Sequence, residues 1–231
     1  MSSWQAVQGL CIAIDGPSGS GKGTIAHLLG QELLLPVLDT GLLYRYLGWR
    51  TEVMGVSLDD ADAVLNVIPQ AIQAMDWRVE GIYFEQKDCT SLLRSEDAGS
   101  RASKVAAMSK VRSALLDVQR EVAQRGCVMD GRDIGTVVLP DAQAKFFLTA
   151  SQRERARRRW SQLKANGKPA DLELIAVELK KRDERDMERD CAPLVKAVDA
   201  IHIDSTTMRM DDVVDRILNV LERRKLMTKK V

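Results

Sequence analysis

The stretch from Leu10 to Thr24, Leu-Cys-Ile-Ala-Ile-Asp-Gly-Pro-Ser-Gly-Ser-Gly-Lys-Gly-Thr, constrains this chain more than any other. Its apolar start reads as a buried strand. Its glycines read as a tight turn, and the apolar-periodic residues from Thr24 to Leu35 read as a helix. In a strand–turn–helix of this kind, glycines let successive backbone N–H groups point inward around phosphate oxygens. The helix N-terminus adds a favourable dipole. The pattern Gly-x-x-x-x-Gly-Lys is complete at Gly16, Gly21 and Lys22, but Gly23 stands where Ser or Thr is usual and the hydroxyl comes one residue later, at Thr24. Lys22 is placed to bridge the β- and γ-phosphates of ATP, and Thr24 to assist a Mg²⁺ bound through the nucleotide. Gly16, Pro17, Ser18, Gly19, Ser20, Gly21, Lys22, Gly23 and Thr24 are the candidate ATP-binding loop. No direct protein ligand to the metal is expected.

The rest of the chain alternates strand-like and helix-like segments. Strands are expected at Leu35–Leu38, Cys127–Met129, Lys145–Leu148 and Ala200–Ile203. Helices are expected at Leu42–Met54, from Asp59–Asp60 toward Met75, at Ser100–Arg125 ended by Gly126, at Gln152–Lys164 capped by Ser151, at Leu172–Glu188 and at Asp211–Arg224. Only Trp77–Glu80 and Ile82–Glu85, flanking Gly81, read as an antiparallel hairpin. The tail Lys225–Val231 is expected to fray. Alternation of this kind implies α/β architecture: three layers, with a parallel central sheet covered on both faces and ligands bound beyond the C-terminal strand ends.

Composition narrows the function classes. The chain has 231 residues and a formal net charge of +1, with 34 basic residues against 33 acidic ones. A dedicated nucleic-acid binder carries a clear basic excess, so none is expected as a partner. Met1–Leu10 has neither the basic stretch nor the apolar core of a secretory signal. No run approaches the roughly 18 apolar residues of a membrane span. Cys11, Cys89, Cys127 and Cys191 are widely spaced and read as reduced thiols, so a cytoplasmic protein is expected. With two histidines and no Cys/His cluster, a zinc site is not expected.

Moving a phosphoryl group between anions needs cations at fixed positions. Four clusters offer them. Asp39-Thr40-Gly41-Leu42-Leu43-Tyr44-Arg45 follows a strand, and Arg45 can clamp an acceptor phosphate. Asp130-Gly131-Arg132-Asp133 lies at a strand end; Arg132 can reach phosphate, and Asp133 can accept from a base amino group or pair with an arginine. Arg182, Asp186 and Arg189, spaced i, i+4, i+7, would project from one helical face. Arg153, Arg155, Arg157, Arg158 and Arg159 form a basic helix, with Arg155, Arg158 and Arg159 on one face, and suit a lid closing over ATP. Each cluster taken singly also fits a solvated charged surface.

These segments in order resemble the bacterial cytidylate kinases, part of the nucleoside monophosphate kinase family, in which the Gly-Lys-Gly-Thr form of the loop is familiar. The stretches carrying the likeness are Ile14–Thr24, Asp39–Arg45, Ala102–Ala106, Val111-Arg112, Asp130–Thr136, Glu154–Ala156 with Arg158-Arg159, Arg182–Asp186 and Ala192-Pro193-Leu194. Asp-Gly-Arg-Asp-Ile-Gly-Thr-Val-Val with Asp-Thr-Gly-Leu-Leu-Tyr-Arg is far more specific than the loop. The resemblance implies a P-loop fold with a core (1–39, 104–150, 190–231), an inserted monophosphate-binding subdomain with a small antiparallel sheet (about 40–103) and a helical lid (about 151–189). It implies ATP and Mg²⁺ as cofactors, and CMP and dCMP as substrates of a monomer. It sets Ser103, Arg112 and Asp133 at the cytosine, Arg45, Arg132 and Arg189 near the acceptor phosphate, and Arg182 and Asp186 near the ribose and reacting phosphates. Thr40 and Tyr44 fall in a matching stretch and join the substrate-binding set. Lys22, Arg132, Arg182, Asp186 and Arg189 are the candidate catalytic residues. Arg153 and Arg157 exceed the family pattern and read as solvated.

Three other readings compete. A shikimate- or adenylate-type kinase would keep Lys22 without needing Ser103, Arg112 and Asp133. A GTP switch would need a segment such as Asn-Lys-x-Asp, which the chain lacks. An RNA-binding module would rest on the Arg153–Arg159 helix, where only Trp160 adjoins the run to stack on bases.

Overall fold

The computed structural model describes residues 4–78 and 81–229. In chain order the strands are β1 (Trp4–Ala6), β2 (Cys11–Asp15), β3 (Val37–Asp39), β4 (Met75–Arg78), β5 (Gly81–Phe84), β6 (Lys87–Asp88), β7 (Cys127–Gly131), β8 (Ala144–Thr149), β9 (Ile201–Asp204) and β10 (Met227–Lys229). The helices are α1 (Lys22–Leu33), α2 (Thr40–Val53), α3 (Ala61–Gln73), α4 (Thr90–Leu93), α5 (Glu96–Ala106), α6 (Ser109–Ala123), α7 (Gln152–Ala165), α8 (Leu172–Glu188) and α9 (Met210–Arg223). A π-helical turn covers Ile134–Val138.

The chain divides into two units, one of residues 1–38 and 123–231 and the other of residues 39–122. The first unit is built on a five-stranded sheet of order β3-β7-β2-β8-β9, in which β2 pairs parallel with β7 and with β8, and β8 parallel with β9. β2 reads as an unbroken apolar run because both its faces are covered: Ile12, Ala13 and Ile14 are fully buried. Its core joins Ile12 and Ile14 to Ile25 and Leu29 of α1 and to Val213, Ile217 and Leu221 of α9. Parallel strands put every C-terminal end at one edge, so Gly16, Arg132, Ala150 and Ser205 emerge together.

The second unit packs α2, α3, α5 and α6 around Tyr46, Leu47, Val67, Val105 and Leu115. It carries an antiparallel sheet of order β4-β5-β6. Gly81 pairs with Arg78 inside that sheet, so it is a strand residue and not the turn of the expected hairpin. Val79 and Glu80 of that hairpin lie outside the described residues, as do Met1–Ser3 and, in the tail, Lys230 and Val231.

Two further expectations are corrected. The helix read over Ser100–Arg125 is broken at Ala107-Met108, where amides turn to i→i−3 bonds onto Lys104 and Val105. Val105 and Val111 are both fully buried yet six residues apart, about 120° round one straight helix; the break lets both join one core. The tail does not fray up to Lys229. Lys225 turns the chain at φ 58°, and Met227–Lys229 pairs antiparallel with Trp4–Ala6 while Met227 is buried in the core.

Candidate active site

The loop between β2 and α1 has the conformation its glycines imply. A Cβ on Gly16 would lie 2.0 Å from the carbonyl oxygen of Leu148, so only glycine lets the loop leave β2 alongside β8. Gly21, at φ 98°, is the N-cap of α1. Lys22 is buried and donates to the Pro17 carbonyl (2.8 Å) and more weakly to Ser20 Oγ (3.5 Å). Burial, and then the neighbouring Arg132 charge, bring its pKa down to about 7, while Asp130, Asp15 and Asp186 pull the other way. A polyphosphate here would restore the lysine's full charge, so the cradle fits a nucleoside triphosphate. Thr24 is exposed. At Gly23 a Cβ would point toward Asp130 Oδ2, 4.0 Å away, so the missing side chain leaves open the approach to that carboxylate.

The five candidate catalytic residues come together. Arg132, at the end of β7, donates from Nε to Asp186 Oδ2 (2.7 Å) and from Nη2 to Ser18 Oγ (2.7 Å). Burial works against the Asp186 charge. The Arg132, Arg182 and Arg189 charges outweigh it and hold the carboxyl below its usual range. Lys22 feels both Arg132 and Asp186, which closes the cluster. Such buried cations are tolerable without substrate because carboxylates accompany them.

Arg189 reaches the cluster by a different route from the one its spacing suggests. α8 ends at Glu188, and Arg189 is extended, at ψ 137°. Off the helix, its Nη2 contacts Asp133 Oδ1 (3.3 Å) and its Nε bonds the Ala192 carbonyl (2.6 Å). The i, i+7 face is therefore not what places it.

The basic helix α7 also departs from expectation. Arg155 is buried. It pairs with Asp183 and donates to the carbonyls of Ser18 (2.9 Å) and Ala150 (3.0 Å). Asp183 also accepts from the Ser18 amide at 3.1 Å. Arg158 donates to the carbonyls of Ser20 (3.2 Å) and Ser205 (2.6 Å). These two arginines hold the loop by the carbonyls of Ser18 and Ser20, while Asp183 takes the Ser18 amide. Arg159 bonds Gln162 at 2.8 Å. Arg157 is exposed and held by Glu154 (2.7 and 2.8 Å), and Arg153 is exposed.

Sequence reasoning missed Asp15, Asp183 and Ser205. Asp15 ends β2 and accepts from the amides of Ile134 and Gly135, both at 2.8 Å, which ties the start of the loop to the turn after Arg132-Asp133. Burial dominates its titration and raises it to about 6 against the opposing pull of those two amides. A lone Asp closing an apolar strand was the available signal. Nothing local marks Asp183 or Ser205.

The other candidates lie in the second unit. Thr40 is buried at the start of α2, whose N-cap Asp39 accepts from the Leu42 amide (3.1 Å). Arg45 donates to the carbonyls of Leu93 and Ser95, both at 2.8 Å, and so spans the α4–α5 junction. Arg112 is buried, stands 5.5 Å from the ring centre of buried Tyr44 and donates to the Ala106 carbonyl (3.3 Å). Ser103 is half-buried on α5.

A parallel sheet whose central strand feeds such a loop, with buried arginines at the same edge, defines a P-loop phosphotransferase. The cytidylate kinase family model matches residues 12–223, and the chain belongs to that family. It is 45% identical over 226 residues to the cytidylate kinase of Azotobacter vinelandii, covering 96% of this chain and 99% of that one. It is 47% identical over 221 residues to that of Stutzerimonas stutzeri, covering 93% and 96%. Among solved structures, a gluconokinase from Sinorhizobium meliloti aligns over 93% of each chain at TM-score 0.47 and 15% identity. A shikimate kinase from Acinetobacter baumannii aligns over 94% of this chain and 95% of its own, at TM-score 0.45 and 16% identity. The assignment rests on the sequence relatives.

Proposed function

We propose that this chain transfers the γ-phosphoryl group of ATP to CMP or dCMP, giving ADP and the pyrimidine nucleoside diphosphate. The observation that carries the reading is the cluster of buried Lys22 and half-buried Arg132, Arg182 and Arg189 around buried Asp186, beside the phosphate loop. An acceptor phosphate oxygen attacks the γ-phosphorus and ADP leaves with the β–γ bridging oxygen. The acceptor phosphate is already anionic, so no general base is assigned. The reaction then depends on positioning and on cations placed where charge is spread in the transition state.

The roles follow from the geometry and the resemblance. The loop amides and Lys22 take the β- and γ-phosphates, braced by Arg155 and Arg158. Arg132 exchanges its bonds to Asp186 and Ser18 for phosphate oxygens. Arg182, Asp186 and Arg189 serve the ribose and reacting phosphates. Thr24 would offer a hydroxyl and Asp130 a carboxylate to a magnesium ion carried by ATP, which would supply neutralisation of phosphate charge. On the strength of the resemblance alone, Asp133 is assigned to the cytosine amine, Arg112 and Ser103 to its ring acceptors, and Thr40, Tyr44 and Arg45 to the rest of the monophosphate. The same source assigns residues of about 40–103 to a monophosphate-binding subdomain and of about 151–189 to a lid, in a monomer; the near-neutral charge speaks against a nucleic-acid partner, and the widely spaced thiols suit the cytoplasm. Among the described residues no helix is long and apolar enough to cross a membrane.

The test is ADP release with ATP and Mg²⁺, offering CMP, dCMP, UMP, AMP, GMP and shikimate in parallel. Turnover with CMP and dCMP, weak turnover with UMP and none with the others is expected. Turnover on a different acceptor would keep the phosphotransferase and discard the base-reading assignment. ADP release that depends on no acceptor would discard both.

A further inference from the structure

We propose that Cys11 and Cys127 form a modification site: a dithiol that a peroxide converts reversibly into a disulfide between the two central strands. Each cysteine opens its strand. The register of β2 on β7 pairs Cys11 with Cys127 directly. Neighbouring strands lie about 4.8 Å apart. That falls within the Cα separation of roughly 4.4–6.8 Å that a disulfide spans. Directly opposed residues of parallel strands point to the same face, so the two Cβ atoms stand about 4.8 Å apart, just beyond the roughly 3.5–4.5 Å of a relaxed disulfide, and closing the bond draws the two strand starts together.

The two thiols divide the chemistry between them. Cys11 is half-buried and Cys127 fully buried. The hydrogen bond from the Cys127 thiol favours the Cys11 thiolate and lowers its pKa despite partial burial. That same contact, with burial, pushes Cys127 up. Cys11 is thus the attacking sulfur and Cys127 the resolving one. The Cys11 thiolate attacks a peroxide oxygen, the O–O bond breaks, and hydroxide leaves, giving a sulfenic acid. The Cys127 sulfur then attacks the Cys11 sulfur, expels the hydroxyl as water and gives up its own proton. Two thiols lose two electrons and hydrogen peroxide becomes two waters.

The surroundings tolerate the change. Reduced Cys11 donates to the Ala123 carbonyl at 3.3 Å. The disulfide loses that donor, but the Gly126 amide still bonds the same carbonyl at 2.9 Å, so no buried acceptor is stranded. Both cysteines follow glycine turns, Gly9 at φ 74° and Gly126 at φ 92°. The pair sits at the opposite end of the strands from the phosphate loop, so the ATP site does not use it.

The experiment is hydrogen peroxide treatment of the folded protein, then alkylation, non-reducing digestion and mass spectrometry, repeated after dithiothreitol. The expected result is a monomer lighter by two hydrogens and a linked Cys11–Cys127 peptide pair that a reducing agent releases. The Cys89→Ser/Cys191→Ser variant should form the same link, and Cys11→Ala should not. Sulfinic acid accumulating at Cys11, a link through Cys89 or Cys191, or both thiols still alkylated at the untreated rate would each overturn the proposal. The peptide mapping needs no substitution, so a variant that fails to fold does not decide the matter.

Discussion

Asp15→Asn isolates one buried charge whose effect on stability has a definite sign. Asp15 is 4% exposed at the end of β2, with its two oxygens on the amides of Ile134 and Gly135. Burial costs its ionised form more than those bonds return, so its pKa in the folded chain is about 6 against an ordinary 3.8. Between those values the folded state binds more protons than the unfolded one. Raising the pH therefore removes stability, and the loss is complete above the folded value. A shift of about two units is worth roughly 3 kcal/mol. Asparagine cannot ionise, so the variant lacks this component. It keeps one acceptor and sets its amide N–H₂ against one backbone N–H, an offset of about 1–3 kcal/mol that does not vary with pH. Urea denaturation of both proteins from about pH 4 to about pH 7 reads the difference. The wild type should lose of the order of 3 kcal/mol relative to Asp15→Asn across that range. A difference that stays flat, or grows in favour of the wild type as pH rises, would refute the assignment of a costly buried carboxylate.

Gly16→Ala places a Cβ 2.0 Å from the Leu148 carbonyl, so the loop must shift; kcat on CMP should fall on the order of a hundredfold, as a displacement of about 1 Å does in a positioning site. Arg155→Ala strands the buried Asp183 carboxylate, which also bonds the Ser18 amide, and should cost about 3–5 kcal/mol in denaturant, whereas a lid arginine that served ATP alone would leave apo stability unchanged. Asp133→Asn removes one of the carboxylates beside Arg189 and sets an amide against the base amine; selectivity for CMP over UMP should fall by more than turnover on CMP, read as the ratio of the two kcat/KM values.

Much of the fold was legible because its signals are local. Asp60, Ser151 and Asp171 each cap the helix that follows them, accepting from amides two or three residues on. Leu172–Glu188 folds with the limits its pattern implies. The misreadings came where tertiary packing overrides a local pattern. α5 and α6 are continuous in periodicity to the eye, and the break at Ala107-Met108 between Val105 and Val111 of one core leaves no local mark. β1 and β10 are three residues each; their pairing partners are the two ends of the described chain, a relation that no window of sequence contains.

The site divides in the same way. The loop motif fixes the positions of Gly16, Gly21 and Lys22 because backbone and ligand chemistry dictate them together. What holds the loop does not: Arg155 and Asp183 are 28 residues apart, and Arg158 and Ser205 are 47. Both pairs exist because β8, α7, α8 and β9 deliver their ends to one edge of the sheet. Reading α7 as a lid helix with Arg155, Arg158 and Arg159 on one face accounted for its charge but not for the carbonyls that Arg155 and Arg158 hold. The loop is consequently braced by guanidinium groups on its carbonyl side while Lys22 sits half-neutralised by burial within it. An incoming polyphosphate favours the charged form of Lys22, whose pKa burial has lowered to about 7. Recharging the lysine takes a proton from solvent, so its cost is subtracted from the binding energy and grows as pH rises above that value.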